Sequence, residues 1–184
     1  MKIHIALSNN RKVKIPQGNS PVIFLAGPIR NAPKWHDEAL KILFKDSYKK
    51  DIFVAAPIRK VDENILPFLE KDKLEYQTFD RQRAWELNYL YGAADNGCII
   101  FWLPKEAEEK EFPDKLYAHI TMMELGGWIA KKKANDSINL VIGTDGEFPE
   151  WVTIKFDIEN ETPNVPICYS LEDTIKTALK TIYG

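Results

Sequence analysis

A chain of 184 residues, 45% hydrophobic and 28% charged, has the size and mixture of one globular domain spanning residues 1–184. A core of that size buries about 70% of the unfolded surface without help from metals or disulfides. The 25 Lys and Arg residues against 27 Asp and Glu leave a formal charge of −2, which excludes a binder of nucleic acid polymers working through a basic surface.

No apolar stretch approaches the roughly 20 residues of a membrane span, and MKIHIALSNN lacks the apolar core of a signal peptide. A cytoplasmic protein with no membrane partner is therefore expected. Cys98 and Cys168 lie in apolar runs without CxxC spacing and read as buried thiols of a reducing compartment.

Taken in chain order, residues 1–18 stand apart. KIHIAL and KVKI flank Ser8–Arg11 and predict an added N-terminal β-hairpin or an edge strand. Val22–Ala26 (VIFLA) is a continuously apolar run of the kind that forms a strand covered on both faces. Asn31 is the predicted cap of a first helix, with Pro33 in its first turn and Trp35, Ala39, Leu40, Leu43 and Phe44 on one face. Ile52–Ala56 is the second strand, followed by the long charged connection Arg59–Thr78.

A second helix begins near Asp80, with Leu87, Leu90, Tyr91 and Ala94 as its predicted stripe. Cys98–Leu103 is the third strand, and Pro104–Ala118 the second long charged connection. Such loops in a compact domain are lids, partner surfaces or disordered insertions. A third helix starts near Thr121 and buries either Met123, Gly127 and Ala130 or the neighbouring Leu125–Trp128–Ile129 edge, with Met122 and Met123 assigned to the core. Asn139–Ile142 and Val165–Tyr169 supply the last strands. Leu171–Tyr183 closes the chain as a helix capped by Ser170, with Leu171, Ile175, Ala178, Leu179 and Ile182 inward.

Strands alternating with helices imply right-handed crossovers and a parallel sheet. The expected fold is a flavodoxin-like three-layer α/β sandwich with a five-stranded parallel sheet. Ligands then bind beyond the carboxyl ends of the strands. After the first strand comes Gly27–Pro28–Ile29–Arg30, either a close backbone approach to a ligand with a charge at the rim or a plain strand-to-helix turn.

After the third strand come Trp102 and then His119, Thr121 and Glu124 around the next helix start. There the helix dipole should keep Glu124 ionised, which suits a nucleophile. Thr121-x-x-Glu124 is equally a capping box serving its own helix. Glu86, beside Trp85, borders the second helix's stripe as either a functional or a surface carboxylate. Asp95 precedes the third strand and so belongs to the opposite edge. GxGxxG, GxxxxGK[ST], HExxH, paired CxxC and GxSxG are missing, and His4, His36 and His119 are far apart, so neither a metal nor an organic cofactor is expected.

Phe24–Arg30 (FLAGPIR), the Trp35 helix, Trp85–Glu86, Ala94–Asp95 leading into Ile99–Pro104 (IIFWLP), and Thr121–Gly126 (TMMELG) occur in an order that resembles the nucleoside 2-deoxyribosyltransferase-like family. The resemblance runs from about Pro21 to Gly143 and leaves out the N-terminal segment and both long loops. It implies a retaining N-glycoside exchange in which Glu124 attacks the anomeric carbon to give a glycosyl ester, and a second base or water then takes the sugar. Glu86 is the nearest match to the acidic residue that assists the leaving base, where the family more often has aspartate.

The Gly27–Pro28 turn would approach the sugar or a 5′ substituent, with Arg30 favouring a phosphate. Trp35, Trp102 and Tyr117 are candidates to stack on the nucleobase or are simply core. The partners implied are a small nucleoside or nucleotide, a free nucleobase and further copies of the chain in a homo-oligomer. The alternatives are an N-glycoside hydrolase of nucleoside 5′-monophosphates on the same scaffold and a non-catalytic nucleotide-sensing or partner module.

Overall fold

The computed structural model describes residues 3–7, 19–45, 51–57 and 79–184. The strands are β1 (Ile3–Leu7), β2 (Val22–Ala26), β3 (Ile52–Ala56), β4 (Gly97–Leu103), β5 (Leu140–Thr144) and β6 (Ile167–Cys168). The helices are α1 (Trp35–Lys45), α2 (Phe79–Asp95), α3 (His119–Ala134), α4 (Trp151–Glu161) and α5 (Leu171–Tyr183). All strands pair in parallel, in the order β1-β3-β2-β4-β5-β6. The five expected strands, β2 to β6, thus take the flavodoxin-like order, with the chain reversing direction across the sheet between β2 and β4.

The N-terminal segment contributes an edge strand. β1 lies alongside β3 in parallel, Ile3 opposite Ile52 and Leu7 opposite Ala56. The second arm of the expected hairpin and the Arg59–Thr78 connection lie outside the described residues.

Continuous apolar runs are required because both faces of the sheet are covered. Val22, Phe24 and Ala26 pack with α2, α3 and α4, while Ile23 and Leu25 pack with α1 and α5. α5 follows its expected pattern closely. Ser170 caps it, its Oγ accepting from the Asp173 N–H at 3.1 Å, and Leu171, Ile175, Ala178 and Leu179 are buried.

Three expectations about the helices are corrected. Asn31 does not cap α1, which begins at Trp35. It sits earlier in the turn with φ 56°, a left-handed conformation that Asn tolerates. In α2 the buried face is Trp85, Tyr89, Leu90 and Ala93, with Leu87 and Tyr91 exposed. The predicted stripe is rotated because Tyr91 instead packs edge-on against Trp128 of α3, ring centroids 5.5 Å apart. α3 buries Thr121, Leu125 and Trp128, the second of the two alternatives, and leaves Met123 64% exposed rather than in the core. α4 has no counterpart among the expected elements. Of the two thiols, Cys98 is fully buried, and burial pushes it up to about 12, whereas Cys168 is half-buried.

No helix among the described residues is long and apolar enough to cross a membrane. Nor do those residues contain a group of His, Cys, Asp and Glu placed to hold a metal ion.

Candidate active site

The turn after β2 is shaped by what lies beneath it. Gly27 has φ 154°, and a Cβ there would fall 2.4 Å from the Trp102 carbonyl oxygen and 2.7 Å from the Trp35 ring. Only glycine permits so close an approach. The Trp35 indole Nε1 donates to the Pro28 carbonyl at 2.9 Å, and its ring stacks on His36. Trp35 is 3% exposed and Trp102 6%, both within the α1/α5 layer. They support the turn from below and do not line the cavity in front of it.

That cavity, of about 550 Å³, opens at the carboxyl ends of β2 and β3 between the first turns of α2 and α3. It falls within the usual size range of small-molecule sites. Gly27, Pro28, Ile29 and Arg30 form one wall; Glu86, His119, Thr121 and Glu124 also line it. Eight of the eleven residues expected at the site therefore share one hollow, the exceptions being Trp35, Trp102 and Tyr117. Asp95 ends α2 directly before β4, at the other edge of the sheet.

The Pro104–Ala118 loop is strapped across this edge. The Asn31 carbonyl accepts from the Ala107 N–H at 2.8 Å. The Asn31 side chain donates to the Phe112 carbonyl at 2.8 Å and accepts from the Phe112 N–H at 2.9 Å. Arg30 lies over the Phe112 ring, 5.6 Å from its centroid. The Tyr117 hydroxyl donates to the Pro104 carbonyl at 2.7 Å and its ring packs on Phe148, so Tyr117 is a strut of the loop. Burial pushes its phenol above the usual range, with Asp145 and Glu106 adding to the effect.

α3 enters the cavity without a side-chain cap. Its N-cap is Ala118, with φ 55°. Thr121 and Glu124 therefore do not form a capping box. Thr121 is 5% exposed and borders the cavity, and Glu124 lies in the second turn. The dipole fades beyond the first turn, and burial dominates instead. It raises the Glu124 carboxyl above its ordinary value, opposed by Arg83 and assisted by the negative Glu86. This is the reverse of the direction a helix N-terminus would give.

Arg83, which is not among the residues expected at the site, is the centre of the charge arrangement. Its Nη1 donates to Glu124 Oε1 and, at 3.1 Å, to Glu86 Oε2. Gln82 Nε2 donates to Glu86 Oε1 at 3.0 Å. Sharing one nitrogen brings the nearest oxygens of the two carboxyls within about 6 Å, two hydrogen-bond lengths. Burial alone would lower the Arg83 guanidinium, but the bonds and charges of Glu124 and then Glu86 outweigh it and hold it above its usual value. A local signal existed, since Arg83 and Glu86 are three apart on one helix. The partner across the cavity carries no such signal.

The mouth is apolar. Leu116, Ile120 and Met123 are 79%, 50% and 64% exposed there. The site thus combines a carboxyl pair bridged by a guanidinium, two further cations in Arg30 and Lys115, and apolar walls for a ring. No protein-family model and no curated protein matches the chain.

Proposed function

We propose that the protein is a nucleoside or nucleotide 2-deoxyribosyltransferase-like enzyme that cleaves an N-glycosidic bond through a glycosyl ester on Glu124. The observation that carries this reading is the position of the Glu124 carboxyl, which caps no helix and lines the cavity with a second carboxyl close by. A retaining displacement begins with the attack of one such carboxylate on the anomeric carbon.

In the first step a Glu124 oxygen bonds to the anomeric carbon. The carbon–nitrogen bond breaks, its electron pair stays with the base, and the departing nitrogen takes a proton from water at the cavity mouth, leaving a hydroxide there. In the second step the nitrogen of another base attacks the same carbon, the Glu124 carboxylate leaves, and the incoming nitrogen gives its proton to the hydroxide left by the first step, restoring the water. Glu86 accepts an N–H on each oxygen, from Gln82 and from Arg83, which holds it in place beside Glu124.

Hydrolysis of a nucleoside 5′-monophosphate is the second reading. It is favoured by Arg30 and Lys115, which border the cavity with no carboxylate pairing either one among the described residues. Incubation with a deoxynucleoside, its 5′-phosphate and a second free base separates the two. A new nucleoside means transfer, free sugar means hydrolysis, and recovery of all three unchanged overturns both.

A further inference from the structure

Arg83 is one of the groups that border the cavity, where it stands between the two carboxyls, and its side chain is 29% exposed, so it is neither a core residue nor a solvated surface charge. The other charged or titratable groups around the cavity are Glu86 on α2, His119 on α3, Arg30 in the β2 turn and Lys115 in the strapped loop. Among the described residues only Arg83 is bonded to Glu124. It is reached from another helix, across 41 positions of sequence, so the contact fixes α2 against α3 as well as the carboxyl itself.

We propose that Arg83 is the positioning residue of this site: its Nη1, shared by Glu86 and Glu124, holds the Glu124 carboxylate in one orientation, and Glu86 acts through Arg83 rather than on the substrate. The proposal rests on the glycosyl-transfer reading for its catalytic meaning, but its structural content does not. One donor nitrogen between two acceptors ties one oxygen of each carboxyl to the same point and so restricts both. Gln82 holds the far oxygen of Glu86, so the anchor is itself anchored. Burial favours the neutral form of Glu124, and the guanidinium is the positive charge in direct contact that opposes it.

The test pairs Arg83→Gln and Arg83→Lys with wild type and follows the Glu124 carboxyl carbon by NMR titration alongside the pH profile of kcat/KM. Arg83→Gln is expected to raise the Glu124 midpoint by about 1 pH unit or more. The acid limb of the activity profile should move up with it. Arg83→Lys, which keeps the charge but not the fork and remains testable if the Gln variant does not fold, should give a smaller shift in the same direction.

Adding Glu86→Gln to Arg83→Gln should cost little further activity. An unchanged Glu124 midpoint in both Arg83 variants, or a full additive loss from Glu86→Gln, overturns the proposal. A shifted midpoint in a protein whose wild type exchanges and hydrolyses no glycosidic bond supports the positioning role and overturns the transfer reading instead.

Discussion

On one face of the sheet, α1 and α5 turn a continuous apolar stripe inward and a polar surface outward. On the other, α2, α3 and α4 leave Leu87, Tyr91, Ile120, Met123, Val152 and Phe156 more than a third exposed. Both layers cover the same strands, so the difference does not come from the sheet. The cavity lies on the second face, between α2 and α3, and its mouth is built from some of those exposed apolar residues. α3 divides its apolar residues between the core, through Leu125 and Trp128, and the cavity, through Ile120 and Met123, whereas α1 and α5 serve only the core.

Truncation should expose this contrast directly. Leu40 of α1 is fully buried in the first layer. Leu40→Ala should cost about 2–5 kcal/mol by removing transfer energy and leaving a void, as measured by denaturant unfolding. A loss below about 1 kcal/mol would mean that this layer is less tightly packed than its burial indicates.

A smaller effect is expected from acid. His36 of α1 is buried, and desolvation lowers its imidazole to about 3, only partly opposed by its hydrogen bond with the Leu25 backbone. The unfolded chain binds the proton near 6.5 and the folded one does not, so stability falls as pH drops through 6.5 towards 3. By pH 5 the loss from this group is about 2 kcal/mol. His36→Gln should flatten the difference between thermal melts at pH 7.5 and pH 5, and an unchanged difference would remove His36 as its source.

The smallest effect belongs to the second layer. Phe156 of α4 is 65% exposed. Phe156→Ser should move stability by no more than about 0.5 kcal/mol in the same unfolding assay. A cost of 2 kcal/mol would show that α4 packs its outer face against something in solution.

The same contrast explains what was legible. Five strands, α1 without its cap, and α5 with its cap could be read because continuous apolar runs and a single stripe each have one structural solution. α4 could not. Its buried residues, Trp151 and Ile158, lie a full two turns apart, with apolar Val152 and Phe156 on the opposite side, so no stripe stands out. Asn31 precedes Pro33 where a cap is plausible, and only the tertiary bonds to Phe112 show that it ties down a loop instead.

At the site, the glycine turn and the two carboxylates were visible as local patterns. The exclusion of Trp35 and Trp102 was not, because burial at a given strand or helix position depends on which layer covers it. Nor was the Arg83–Glu124 pair, which depends on how two helices meet.

Incubation with a 2-fluoro-substituted deoxynucleoside, followed by intact-mass spectrometry and peptide mapping, tests the covalent role of Glu124 most directly. The expected result is one fluorinated sugar per chain, located on Glu124 and absent from Glu124→Gln. An adduct that persists in Glu124→Gln, or none on a wild-type protein that turns over the unsubstituted substrate, would contradict it.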